Sequence, residues 1–185
     1  MPWIHIIDEE DADAKLQAAY DRIKGSRGKV ANILKIHSLK PETMLAHAEL
    51  YLTLLFRGSG LSREEREIIA VAVSVANRCE YCILHHAEAL NAYWQDRARV
   101  EALIRDPDAV DLPVRARAVV RYATKLTRQP WAMSAEDVDA LRQVGLSDGD
   151  ILSVNLIASY FNFVNRIALG LGVEFSAEEV RGYKY

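Results

Sequence analysis

The sequence predicts an all-α fold: a single-domain helical bundle organised around a helical hairpin at about residues 64–93. Three observations predict it. Ser62-x-x-Glu65, Ser134-x-x-Asp137 and Ser147-x-x-Asp150 each carry the signature of a capped helix N-terminus. The apolar stretches behind the first and last of these caps, Ile68–Ala76 and Ile151–Leu169, continue past a dozen residues once their capped ends are included. Glycine and proline fall between the periodic stretches.

In chain order, Trp3, Ile4 and Ile6 form an apolar extended arm that turns acidic at Asp8–Asp13. A helix follows from about Ala12 to Lys24, with Leu16, Ala19, Tyr20 and Ile23 on one face, stopped by Gly25 and Gly28. Val30 to Ile36 reads as a short helix and Ser38–Pro41 as a break. Pro41 opens a helix to about Phe56, and Gly58-Ser-Gly60 ends it. The stretch after Ser62 is rich in Ile and Val, as a strand would be. Its cap, its alanines and its length favour a helix, and a helix apolar all round is central. A cysteine-bearing helix runs to about Trp94, with a short helix at Arg97–Ile104 beyond it. Pro113 starts an amphipathic helix with Val119, Tyr122 and Leu126 inward and Arg117, Arg121, Lys125 and Arg128 opposite. The last two helices follow Ser134 and Ser147, the final one ending at Gly170 and Gly172. Ser176–Val180 reads as a short capped turn, and the tail carries Tyr183 and Tyr185. The core spans about residues 40–175, with residues 1–30 as an N-terminal arm and helix.

With 185 residues, half of them apolar, the chain can bury a sizeable core. A net charge of −3 gives no reason to expect nucleic acid or an anionic membrane. The basic stripe has no interleaved aromatics and reads as a solvated face. Asn155, Asn162, Asn165 and Arg166 interrupt the longest apolar region, which argues against a membrane span. No basic–apolar–small pattern opens the chain, so the expected compartment is the cytoplasm. There, two cysteines point to redox or metal chemistry rather than a structural staple.

That chemistry concentrates between Glu67 and His86. Cys79, Cys82 and His86 stand at i, i+3 and i+7, one face of a helix. A Cys-x-x-Cys pair opening a helix has Cα atoms roughly 5–5.5 Å apart, so it can cycle between dithiol and disulfide. His86 is the i+4 neighbour of Cys82 and can take its proton. His85 lies about 100° further round. On one straight helix Glu67 would lie about 18 Å from Cys79. The midpoint of Glu67 and His86 falls at Ala76–Asn77, beside the polar break Asn77-Arg78. A reversal there brings Glu67 level with His86, at the edge of the core. The carboxylate then orients the imidazole, and the second thiol resolves a sulfenic acid.

Glu67-x11-Cys79-Glu-Tyr-Cys82-x3-His86 resembles the active-site motif of the alkylhydroperoxidase D-like proteins of the carboxymuconolactone decarboxylase superfamily. Tyr160-Phe-Asn-Phe-Val-Asn-Arg166, followed by Gly170-Leu-Gly-Val-Glu174, is similar to the C-terminal helix of the peroxidase-related branch. The resemblance covers roughly residues 40–175. It implies a helical homo-oligomer, dimer-based and extending to a hexamer, that reduces organic hydroperoxide or hydrogen peroxide. It makes Cys82 the attacking thiol, Cys79 the resolving thiol, and Glu67 and His86 the proton relay. It also implies an external dithiol reductant, such as a lipoyl-bearing protein, and no metal, haem or flavin. The best-studied members of that family carry a histidine just before the second cysteine, where Tyr81 stands here.

The residues leave alternatives open. Cys79 is nearer the helix N-terminus, whose dipole favours a thiolate, whereas Cys82 has the base at i+4. Cys79, Cys82, His86 and Glu67 or His85 are also a candidate zinc set, although no second separated pair exists. A redox sensor would oxidise once without turnover. Glu67 alone could be a first-turn carboxylate on the helix dipole. Tyr81 reads as core packing at the edge of the site. His37 and His47 carry no assigned role, and the asparagines of the last helix read as ties between helices or subunits.

Overall fold

The structure, a computed structural model, describes residues 2–180. The expectations for Tyr183 and Tyr185 lie outside the described residues. The helices run α1 (Ala14–Arg27), α2 (Asn32–Lys35), α3 (Pro41–Phe56), α4 (Arg63–Ala76), α5 (Glu80–Trp94), α6 (Arg97–Arg105), α7 (Val114–Arg128), α8 (Ala135–Gln143), α9 (Asp148–Leu171) and α10 (Ala177–Val180). Single 3₁₀ turns occupy Glu9–Asp11 and Pro130–Ala132. Among the described residues there is no strand, and no helix is long and apolar enough to cross a membrane.

Helix α4 is the axis of the molecule because its body, residues 68–76, is apolar on every side except at Ser74. Residues Arg66 through Ser74 are all buried. Its Ile69, Ala70 and Val73 join a core with Val119 and Tyr122 of α7 and Val154, Ile157 and Phe161 of α9. Its Ile68, Val71 and Ala72 face Leu90 of α5 and Val100 and Leu103 of α6. Each such side chain taken from water contributes about 1.5–3 kcal/mol before entropy is counted. A third cluster joins α1 to α3 through Leu16, Tyr20, Ile23 and Met44.

The capping signals hold. Ser62 with Glu65 and Ser147 with Asp150 form reciprocal capping boxes, and at Ser134 the Asp137 carboxylate accepts from the Ser134 N–H at 2.8 Å while Asp137 N–H donates to Ser134 O at 3.2 Å. Two glycine stops differ from expectation. Helix α1 runs through Gly25 and ends at Gly28, whose φ is +86°. Helix α9 runs through Gly170 and ends at Gly172, whose φ is +62°. A glycine ends a helix where the chain turns left-handed, and Gly25 and Gly170 do not turn. Trp3 lies over Gly172, where a Cβ would stand 2.6 Å from the indole. The arm therefore packs on its own chain: Trp3 N–H donates to Leu171 O at 2.9 Å, and Tyr20 donates to Ile7 O at 2.6 Å.

Candidate active site

Helices α4 and α5 reverse at Asn77-Arg78, as the midpoint of the motif predicts. Asn77 closes α4, and Arg78 takes a left-handed φ of +56°. Cys79 then occupies the N-cap position of α5, its own N–H donating to Ser74 O at 2.9 Å. The turn is anchored from α9. Asn77 Nδ2 donates to Asn162 Oδ1 at 3.0 Å and Asn165 Oδ1 at 2.9 Å. Asn165, fully buried, donates to Ser74 Oγ at 3.2 Å, and Asn162 donates to Thr127 Oγ1 at 2.9 Å. The asparagines of α9 thus tie helices together, and two of them hold the turn that presents the cysteines.

The reversal brings Glu67 to His86. His86 Nδ1 lies 2.7 Å from Glu67 Oε2, which leaves Nε2 as the remaining ring nitrogen. Glu67 is completely buried, deeper than its expected place at the edge of the core. Arg63, one turn earlier, donates through Nε and Nη2 to the other oxygen, Oε1, at 2.9 and 2.5 Å. Burial pushes the carboxyl up, but His86 and Arg63 together hold it below the ordinary carboxylate range. Sequence reasoning passes over Arg63, although an i, i+4 Arg–Glu pair was visible in the spacing.

Both thiols are free and buried. Their protons are unequally held. The Cys82 thiol, reinforced by the Cys82 backbone N–H, lowers Cys79 against its burial. Cys82 is pushed well up, first by its bond to Cys79 and then by burial, with Asn165 acting the other way. The sequence places His86 beside Cys82 through i+4 spacing. In the structure His86 lines the same cavity as Cys82, with Nδ1 turned to Glu67 and its ring edge on Phe161 at 4.5 Å.

Cys82 and His86 line an apolar cavity together with Tyr51, Tyr160, Phe161 and Val164. Cys79 is not among its lining residues. Tyr81 lines it too, its ring stacked on His85 at 4.2 Å and its hydroxyl accepting from Ile33 N–H at 3.1 Å. His47, on α3, also reaches the cavity and is almost fully buried. Burial, and then His37, lower its pKa from 6.5 to about 3. The unfolded chain takes up this proton near pH 6.5 and the folded chain only near pH 3. His47 therefore contributes stability that is full above pH 6.5 and is lost as pH falls toward 3. The expected slope is at most about 1.4 kcal/mol per pH unit. Urea denaturation at pH 7.5 and 5 should show this loss in the wild type and a flatter dependence in His47→Gln.

Among the described residues, no three of His, Cys, Asp and Glu are grouped to hold a metal ion, so the candidate zinc set does not assemble.

Residues 41–125 match the model of the carboxymuconolactone decarboxylase family. No curated protein matches the chain. Among solved structures, it is similar to an uncharacterized peroxidase-related protein from Silicibacter sp. TM1040, at 28% identity and a TM-score of 0.88, covering 97% of this chain and 94% of that one. An uncharacterized peroxidase-related protein from Ralstonia eutropha JMP134, described as an alkylhydroperoxidase AhpD core, aligns at 24% identity and a TM-score of 0.86, with the same coverage of 97% and 94%. The debrominase Bmp8 shares the fold at 19% identity and a TM-score of 0.75, covering 95% of this chain and 96% of that one.

Proposed function

Since the chain belongs to the alkylhydroperoxidase D-like proteins of the carboxymuconolactone decarboxylase superfamily, we propose that it reduces hydroperoxides with the Cys79–Cys82 dithiol. The observation that carries this reading is that Cys82 and His86 line one apolar cavity, with His86 Nδ1 2.7 Å from the buried Glu67 carboxylate and Cys79 next to Cys82 at the start of the same helix. The Cys82 thiolate attacks the peroxide oxygen and breaks the O–O bond. One oxygen stays as Cys82 sulfenic acid, and the other leaves as alkoxide or hydroxide and is protonated. Cys79 then attacks the Cys82 sulfur, closing the disulfide and expelling hydroxide, which becomes water. Two thiol protons end in the two oxygen products. The His86–Glu67 pair is the proton relay.

An external dithiol returns the disulfide to the reduced state, and a protein-borne lipoyl group has the required chemistry. The apolar lining suits an organic hydroperoxide. Leu152, Leu156 and Phe163 lie exposed along one side of α9, a surface that suits a second copy of the chain.

The test is the intact mass of reduced, chelator-treated protein before and after one equivalent of cumene hydroperoxide. A loss of about two mass units mapped to a Cys79–Cys82 link is expected. Two unchanged free thiols would end the peroxidase reading. Oxidation without repeated turnover in the presence of dihydrolipoamide would favour a redox sensor.

A further inference from the structure

A hydrogen-bonded chain outside the cysteine hairpin leads from the surface to the cavity. The Oγ1 of exposed Thr43, on α3, lies 3.1 Å from His37 Nδ1. His37 Nε2 lies 3.1 Å from His47 Nδ1, and His47 Nε2 lies 2.8 Å from the Tyr160 hydroxyl. His47 and Tyr160 line the cavity that holds Cys82.

The direction of every bond in this chain is fixed. The Thr43 hydroxyl donates to Lys40 O at 2.8 Å, a carbonyl that can only accept. Its proton being spent, Thr43 Oγ1 accepts from His37 Nδ1–H. A neutral His37 then has Nε2 as acceptor, so His47 Nδ1 carries the proton between them. Neutral His47 in turn has Nε2 as acceptor, and Tyr160 O–H must donate to it. The chain is polarised outward, and Tyr160 offers the cavity only its lone pairs.

We propose that Tyr160, His47 and His37 form a reversible proton relay that takes the Cys82 thiol proton out of the cavity and returns it to the oxygen released from the peroxide. Burial raises Tyr160, which holds it as a neutral hydroxyl, and Cys82, Tyr51 and Arg27 line the same cavity. Cys82 S–H gives its proton to Tyr160 Oη. The Tyr160 proton passes to His47 Nε2, and the His47 Nδ1 proton to His37 Nε2. The cavity gains a thiolate and His37, half-buried beside Thr43, becomes the imidazolium. His47 only changes tautomer, so its buried ring never holds the charge. The His37–His47 and His47–Tyr160 bonds are now reversed, while His37 Nδ1–H still donates to Thr43, and Tyr160 presents an O–H to the cavity when the O–O bond breaks. Donation to the departing oxygen resets the chain. The Glu67–His86 pair then serves the second proton, for the hydroxide expelled as the disulfide closes.

The second half of the cycle rests on the peroxidase reading, but the first half does not, and the test separates them. In the absence of peroxide, iodoacetamide alkylation of Cys82 is followed against pH, with the site read by peptide mass. In Tyr160→Phe the alkylation rate at pH 7 should fall about 10-fold and the profile move to higher pH. An unchanged profile overturns the relay, whatever peroxide does. With cumene hydroperoxide, single-turnover oxidation should slow by about 10²-fold in Tyr160→Phe. His47→Gln keeps a hydrogen bond to Tyr160 but cannot exchange tautomers, and should slow oxidation as much. His37→Gln, half-exposed and tolerant of change, is the control if either buried variant fails to fold. Wild-type oxidation rates in His47→Gln and His37→Gln overturn the relay. A wild type inert to peroxide, with the alkylation shift present, ends the peroxidase reading and keeps the thiol-activating half.

Discussion

Cys82→Ser is expected to leave the reduced protein inert to an organic hydroperoxide, with single-turnover reactivity lower by a factor on the order of 10³ or more. Cys79→Ser should still react once, gaining about 16 mass units as Cys82 sulfenic acid, and then stop. Access and ionisation favour different sulfurs. The thiolate is easier to form at Cys79, where the Cys82 thiol and backbone N–H both favour it. The cavity, however, opens on Cys82. A peroxide reaches the sulfur that lines its pocket, and the proton on that sulfur then has to leave. Cys79 waits as the better-ionised partner, suited to attack the Cys82 sulfenic acid from behind. Intact-mass spectra of the two serine variants decide the order. Oxygen gained by Cys82→Ser and not by Cys79→Ser would make Cys79 the attacking thiol.

The hairpin was legible because its signals are local. A polar pair at the midpoint of an apolar run, a cap at one end and cysteines just past the break fix where the chain turns. The turn alone carries Glu67 to His86. The helix caps were legible for the same reason. Gly25 and Gly170 misled because glycine permits a left-handed turn without requiring one, and at both positions the helix has packing to continue into. The rest of the site depends on partners far apart in sequence. His47 meets Tyr160 across 113 residues, and Asn165 meets Ser74 across 91. Neither pair leaves a periodic trace. The inequality of the two thiols was illegible as well. It comes from which sulfur caps α5, which one Asn165 approaches and which one faces the cavity, all consequences of tertiary packing.

Glu67→Gln is expected to cost about 3–5 kcal/mol, the range for breaking a buried ion pair from one side. Glu67 is wholly buried, with one oxygen on His86 and the other on Arg63. The amide can still accept from one neighbour, but it cannot balance the charge of Arg63, whose side chain is only 15% exposed. For a chain of 185 residues the loss should lower Tm by roughly 6–20 °C. The pH dependence follows from the carboxyl being held below its ordinary range. Its contribution is fully present above the unfolded carboxylate pKa and disappears as pH falls through the lower folded value. The gap between wild type and Glu67→Gln should therefore narrow on acidification. Replacing both partners, as in Arg63→Met with Glu67→Met, should recover part of the stability, because no uncompensated charge stays buried. It should not recover peroxide reduction, because His86 has then lost the group that orients it. Denaturation curves of the three variants at pH 7 measure the first effect, and single-turnover oxidation measures the second. A Glu67→Gln variant within about 0.5 kcal/mol of wild type would show that Arg63 and His86 do not depend on this carboxylate. Full oxidation rates in the double variant would remove it from the chemistry.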